Sequence, residues 1–355
     1  MRPADSLRRL SDIARSFPRP FTRHGWMPMT QQQEVLKSIE PAVSEIADQV
    51  LRPVEDARNW QPSDLLPDPS TEEGFEAIRE LKAQAAELPE ELLLVTTGNL
   101  ITEEALPTYQ TAFNRHVGVD DTTGVDDSGW ARWSRAWTAE ENRHGVAMSL
   151  WARFCGRLDM RAVDGTIQRL IGNGFDVRTD NDPYEVLVFT SFQEQATLVS
   201  HKSVARQAEK AGDAHLARIC DLVGTDEARH ARFYKGALKL VFDQDPDGAL
   251  VALANMMRKK IAMPAERMVD GRNDSLFADY AELAQQIGVY TSEKYVEIME
   301  LCNRYWSVEH RQPTTDAGRK AQDYLGSLAA RYRRLADRRR PRVVPLDRFS
   351  WLKPA

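Results

Sequence analysis

The sequence has no apolar run approaching the roughly 20 residues that a helix needs to cross a bilayer, so this is not an integral membrane protein. Cysteine is scarce. The three present, Cys155, Cys220 and Cys302, are odd in number, far apart and in no C-x-x-C arrangement, which reads as unpaired structural thiols in a reducing compartment. There is no excess of positive charge either. A formal net charge of −6 and a pI of about 5.8 argue against general nucleic-acid binding. Nor does any region alternate convincingly with period two, so no sheet is expected. What is there is 42% apolar and 28% charged residues, the balance of a soluble globular protein, in a chain long enough for one large domain or two ordinary ones.

Residues 1–30 stand apart, with six Arg, three Ser and only two acids. That composition suits either a transit-peptide-like segment or a loosely docked N-terminal arm. Helical spacing dominates from residue 31 onward. "QQQEVLKSIEPAVSEIADQVLRPVE" repeats apolar residues three and four apart and stops at Pro53. The run "PEELLLVTTGNLITEEALPTYQTAFNRH" contains Pro107, where a kink or local break is expected. Within "DPYEVLVFTSFQEQATLVSHKSVARQAEKAG" the first apolar residues are rich in β-formers. Asp182 as N-cap, Pro183 at the first helical position and the pattern that follows decide for a helix ending at the glycine. Further helices cover roughly 213–243, 246–260, 276–287, 292–309 and 314–337. The class is all-α, a bundle.

Two short stretches nearly repeat one another. "AEENRHG" carries Glu140, Glu141, Arg143 and His144, and "TDEARHAR" carries Asp226, Glu227, Arg229 and His230; both fit [DE]-E-x-R-H. Residues three apart share a helix face, so each Glu-x-x-His offers one carboxylate and one imidazole to a single point. That donor set suits Fe(II) or Mn(II). One such pair is weak evidence, because Glu and His also pair on exposed helices. Here only two of the seven histidines have Glu three residues earlier, and both fall in the same pattern. Two such pairs, with one more Glu from each of two other helices, make the dinuclear site of ferritin-like bundles. The extra carboxylates are present upstream of each motif: Glu103 or Glu104 in "NLITEEALP", between which periodicity does not choose, and Glu194 in "TSFQEQAT". Glu194 sits among apolar neighbours, where a buried carboxylate wants a cation or a proton. Asp226 and Glu140, each beside a ligand candidate, can accept the second N–H of a metal-bound imidazole.

At these residues the chain resembles the soluble acyl-ACP desaturases, the plastid stearoyl-ACP desaturase family. The likeness extends through "NWQPSDLLPDP", "NLITEEALPTYQT", "RAWTAEENRHG", "RLDMRAVDGTIQRLIGNG", "QDPDGALVALANMMRKKIAMPA" and "DGRNDSLF", from about residue 30 to Trp351. It implies a ferritin-like helical bundle core with additional helices, as a single di-iron domain over 31–355. It implies two ferrous ions per subunit, held by Glu103, Glu141, His144, Glu194, Glu227 and His230, which selects Glu103 over Glu104. It places Trp60, His144 and Asp226 on a hydrogen-bonded path from the surface toward the metals, and the hydroxyl of Thr197 beside the site. The implied activity is O2-dependent insertion of a cis double bond into a saturated acyl chain held on acyl carrier protein, between carbons nine and ten, in fatty acid biosynthesis. Unactivated C–H bonds give acid–base catalysis nothing to work on, so a cofactor must carry the hard step. Of the four electrons that take O2 to water, two come from the chain and two from ferredoxin. The resemblance further implies a homodimer, in the plastid stroma if the source is a plant or alga and in the cytoplasm if it is bacterial.

Other uses of such a bundle are iron storage, radical generation and non-catalytic carrier binding. Storage would not need 355 residues, a radical subunit would want a Tyr where Met148 stands, and a binder would not need six ligands. Two basic stretches are candidates for docking the acidic carrier protein: "RYRRLADRRRPR" over 331–342, and Arg258, Lys259 and Lys260. By resemblance the closed end of the acyl tunnel is formed around Ala112, Arg115 and His116, completed by Val177, Val186 and Leu187. Stearoyl-specific members usually have Met, Thr and Leu at the first three and Gly–Phe at the last pair. Arg115, His116 and Val186 take up room while Ala112 and Leu187 release it, and the balance favours a chain shorter than stearoyl.

Overall fold

The computed structural model describes residues 30–114, 121, 123–340 and 342–353. The arginine-rich stretch up to residue 29, and Arg115 and His116, lie outside the described residues. Among those described there is no strand, only an isolated bridge between Leu158 and Leu352.

The helices are α1 (Gln31–Ser38), α2 (Glu40–Val50), α3 (Glu72–Ala86), α4 (Glu90–Glu103), α5 (Leu106–Asn114), α6 (Gly129–Cys155), α7 (Met160–Asn173), α8 (Pro183–Ala211), α9 (Ala214–Gln244), α10 (Pro246–Lys259), α11 (Leu276–Gln286), α12 (Ser292–Tyr305) and α13 (Asp316–Arg338). Their ends follow local chemistry. The Asp182 carboxylate accepts the N–H groups of Tyr184 and Glu185 with Pro183 at the first position, so the β-formers that follow enter a helix. Gly212 then ends α8 in the left-handed conformation at φ 88°, where a side chain would be strained.

Proline breaks two of the expected long helices one turn early. A proline ring collides with the carbonyl four residues back. Pro41 therefore ends α1 before Ile39 and takes the second position of α2. Pro107 likewise separates α4 from α5 at Glu104 and Ala105. The Glu103 carbonyl, released from the helical ladder, accepts the Tyr109 hydroxyl at 3.3 Å. A second difference lies at the start: α2 stops at Val50, ahead of Pro53.

Helices α8 and α9, joined by a two-residue turn, pack against each other along their length. At about 1.5 Å per residue, α8 is roughly 43 Å long. Helices α4 and α6 close the bundle, with α2 against α6 and α9. Helices α10, α12 and α13 form a further group on α8 and α9, and α11 lies on α4. There Gly98 lets the Tyr280 ring rest on the α4 backbone, where a Cβ would collide with it. The C-terminal segment returns to α7, where the buried Trp351 donates to Thr166 Oγ1 at 3.1 Å. The four helices α4, α6, α8 and α9 point carboxylates into the middle of this core.

Candidate metal centre

Glu103 ends α4, Glu141 and His144 lie on consecutive turns of α6, Glu194 is mid-α8, and Glu227 and His230 face inward from α9. All six are buried, and they meet. Glu103, Glu141, His144 and Glu227 each offer an atom within 4.8 Å of the others, and so do Glu141, Glu194, Glu227 and His230. Glu141 and Glu227 belong to both groups. Glu104 is only half-buried, and burial raises its carboxyl above the usual range beside Ser149. The choice between Glu103 and Glu104 that periodicity left open is made by the break before Pro107.

The side chains of this cluster do not satisfy one another. Glu141 Oε1, Glu227 Oε1, His144 Nδ1 and His230 Nδ1 are buried without a hydrogen-bond partner. His230 Nδ1 lies 2.9 Å from Glu141 Oε1, 3.4 Å from Glu194 Oε2 and 3.5 Å from Glu227 Oε2. Close approach without hydrogen-bond alignment is what donors aimed at a shared cation look like. A buried carboxylate–imidazole set of this kind fits divalent metal ions, and each group can hold one. Burial and mutual charge shift the carboxyl groups. Burial, then the charge of Glu227, pushes Glu141 up to about 7, and burial pushes Glu194 well up. Burial raises Glu103 less than the hydrogen bonds of His144 and His201 lower it. Burial opposes a charged ring at His144, but Asp226, Glu103 and Glu227 outweigh it and raise its pKa.

The outer contacts explain the whole five-residue repeat, because the two copies support each other crosswise. His144 Nε2 donates to Asp226 of the second motif at 3.3 Å, and His230 Nε2 donates to Glu140 of the first at 2.9 Å. With Nε2 committed, each ring turns its Nδ1 lone pair inward. The repeated arginines hold the acids: Arg143 donates to Asp226 at 2.6 Å, and Arg229 to both Glu140 and Asp226 at 2.7 Å. Asp226 is held well below the ordinary carboxylate range; burial opposes this, and His144, Arg143 and Arg229 prevail.

Trp60 Nε1 also donates to Asp226, at 3.0 Å, and the indole lies parallel to His144 with ring centroids 6.0 Å apart. The contacts Trp60–Asp226–His144 are therefore continuous. Thr197 Oγ1 donates to Glu227 Oε2 at 2.8 Å. Glu103, Glu141, His144, Glu194, Glu227 and His230, with Trp60, Thr197 and Asp226, thus lie together at the cluster. Sequence reasoning named Arg143 and Arg229 in the motif but gave them no role. It also missed His201, one turn beyond Thr197 on α8, whose Nε2 donates to Glu103 at 2.7 Å.

A cavity of about 80 Å³ adjoins Glu103, Thr197 and His201, walled by Met263, Phe277, Tyr280 and Tyr290. A smaller one of about 20 Å³ continues past Glu141, Glu194 and Glu227 to Phe113 and Trp137. Phe113 packs there with its ring centroid 5.7 Å from that of Trp137 and 5.8 Å from that of Phe189. Ala112, Val177, Val186 and Leu187 are buried but line neither space. Of the nominated basic residues, Lys259 is taken up by Glu185 and Asp180, and Arg258 lies over the Tyr324 ring. Arg333, Arg339 and Arg342 pair with Glu300, Glu282 and Asp279. Arg331, Arg334, Arg338 and Arg340 are exposed, with no ion pair among the described residues.

Fold and site together define a helical-bundle protein with twin Glu-x-x-His motifs around one carboxylate-rich centre. A fatty acid desaturase family model matches residues 31–353, and the chain belongs to that family. It is 46% identical to a chloroplastic stearoyl-[acyl-carrier-protein] 9-desaturase of Simmondsia chinensis, over 91% of this chain and 81% of that protein. It is 47% identical to the same-named protein of Carthamus tinctorius, over 91% and 81%. It is 44% identical to a chloroplastic acyl-[acyl-carrier-protein] desaturase of Cucumis sativus, over 98% and 90%. Among solved structures, DesA2 of Mycobacterium tuberculosis H37Rv, assigned to the acyl-ACP desaturases, shares the fold. Its TM-score is 0.53 at 18% identity, over 81% of this chain and 99% of that one.

Proposed function

We propose that this protein is an acyl-ACP desaturase, an oxidoreductase that inserts a cis double bond into a saturated acyl chain carried on acyl carrier protein, between carbons nine and ten. The observation that carries the reading is the pair of buried donor groups sharing Glu141 and Glu227, next to a largely apolar cavity. The cofactor is a pair of irons per subunit, held by Glu103, Glu141, His144, Glu194, Glu227 and His230. Bound there, they supply the O2 activation and hydrogen removal that side chains alone do not perform. Two electrons leave with the chain's two hydrogens, and two more come from ferredoxin, completing the four that take O2 to water.

The protein's own residues do the rest. Asp226 and Glu140 orient His144 and His230 by accepting hydrogen bonds from their Nε2–H groups. Thr197 holds Glu227 Oε2 through its hydroxyl and lines both cavities. Trp60 and Asp226 carry the path for external electrons. The apolar walls exclude water from the reacting carbons. Residues 31–355 act as a single domain, and the enzyme is a homodimer; sedimentation at the 40.3 kDa monomer mass would count against the dimer. The plant relatives are chloroplastic by name, which supports a plastid site if the source is photosynthetic. No described helix is long and apolar enough to cross a membrane.

The direct test is elemental analysis with a turnover assay using acyl-ACP, O2 and reduced ferredoxin. Two irons per chain and a cis-unsaturated product are expected. His144→Ala and His230→Ala should lower iron content and activity together. Zinc alone, or one metal per chain, would sink the reading.

A further inference from the structure

The two histidines of the centre are joined by one unbroken chain of hydrogen bonds on its outer side: His230 to Glu140 at 2.9 Å, Glu140 to Arg229 at 2.7 Å, Arg229 to Asp226 at 2.7 Å and Asp226 to His144 at 3.3 Å. One atom makes the crossing. Arg229 Nη2 donates to Glu140 Oε2 and to Asp226 Oδ1, while Nη1 is fixed on the Val50 carbonyl of α2. The guanidinium is nearly buried, and both carboxylates are buried as well. Arg143, at the same place in the first motif, does not duplicate the bridge. It lies 2.6 Å from Asp226 but 3.6 Å from Glu140.

We infer that Arg229 is a positioning residue that couples the two metal positions, so that filling one prepares the other. This rests on the di-metal reading above. A metal at His144 Nδ1 fixes that ring and with it Asp226; Asp226 fixes the shared Nη2; and Nη2 fixes Glu140 and the His230 ring. The second position then binds with its imidazole already ordered, and ordering that has been met once need not be met again. Coupling of this kind is reciprocal. A competing route exists, because Glu141 and Glu227 serve both positions and could link them directly. Removing Arg229 leaves those two carboxylates untouched and so separates the explanations.

The experiment is an anaerobic calorimetric titration of the full-length, metal-free protein with Fe(II), comparing the native chain with Arg229→Gln. Two irons should still bind, with the spacing between first and second binding steps widened by about tenfold or more. Unchanged spacing overturns the inference, whether or not both affinities fall equally, since a uniform loss marks Arg229 as structural only. If Arg229→Gln loses its helical circular dichroism, Arg229→Lys decides. It keeps the charge but cannot hold Val50 and both acids together, so the spacing should again widen; a native isotherm overturns the proposal. A native protein that takes up fewer than two irons fails the di-metal reading itself, a different result from two irons bound without coupling.

Discussion

Trp60 offers the sharpest single-residue test, because it touches Asp226 and His144 but neither group of metal donors includes it. Trp60→Phe removes one N–H while keeping an aromatic ring over Arg143. Iron content should stay near two per chain. Reduction of the oxidised centre by ferredoxin, followed by stopped-flow absorbance, should slow by about tenfold, the lower range for loss of an outer contact. A native rate would remove Trp60 from the path. At this scale much was legible beforehand. The spacing of Glu141, His144, Glu227 and His230 follows from helix geometry alone, and Asp226 and Glu140 from what a bound imidazole needs. The crosswise pairing was not legible, because it depends on how α6 and α9 face each other. His201 was hidden for the same reason: its partner Glu103 lies 98 residues away on another helix.

Among the elements, α5 is our candidate for what limits the length of the acyl chain. Beside the metal donors lies a space of about 20 Å³, lined by Phe113 of α5, which packs against Trp137 of α6 and Phe189 of α8. For the expectation of a chain shorter than stearoyl we propose Phe113 as the stop, a residue not among those named from the sequence. With equal palmitoyl- and stearoyl-ACP in competition, palmitoyl should be used faster. Each excluded methylene forfeits about 0.8 kcal/mol, so two are worth on the order of tenfold. Phe113→Ala should shift the preference toward stearoyl, and faster stearoyl turnover by the native enzyme would refute the idea. Helix identities were readable from the sequence because capping and periodicity are local. The break at Ile39 was not foreseen, and the one expected at Pro107 falls a few residues earlier, because a proline acts on the carbonyl four positions before it.

For the molecule as a whole, charge sets the terms of docking. The net charge is −6, yet an acidic carrier must be met by a positive surface. The exposed end of α13, with Arg331, Arg334 and Arg338, and Arg340 just beyond it, is the better of the two basic stretches, since Lys259 is already paired and Arg258 already stacked. Raising salt from about 0.05 to 0.3 M shortens the screening length to a few ångströms. KM for acyl-ACP should then rise several-fold while kcat changes little. Replacing Arg334 and Arg338 together by Ala should raise KM and flatten that salt dependence; an unaltered KM would move the docking surface elsewhere.

The crosswise support of the two motifs also bears on how the protein is made. His144 leaves the ribosome without Asp226, which is encoded 82 residues later, and Glu140 waits 90 residues for His230. At roughly 5–20 residues per second, the first half of the site spends about 4–18 s with its ligands unsupported. A nascent chain cannot assemble the six donors in their final arrangement until α9 has emerged, so any metal loading would follow synthesis of the bundle rather than accompany it.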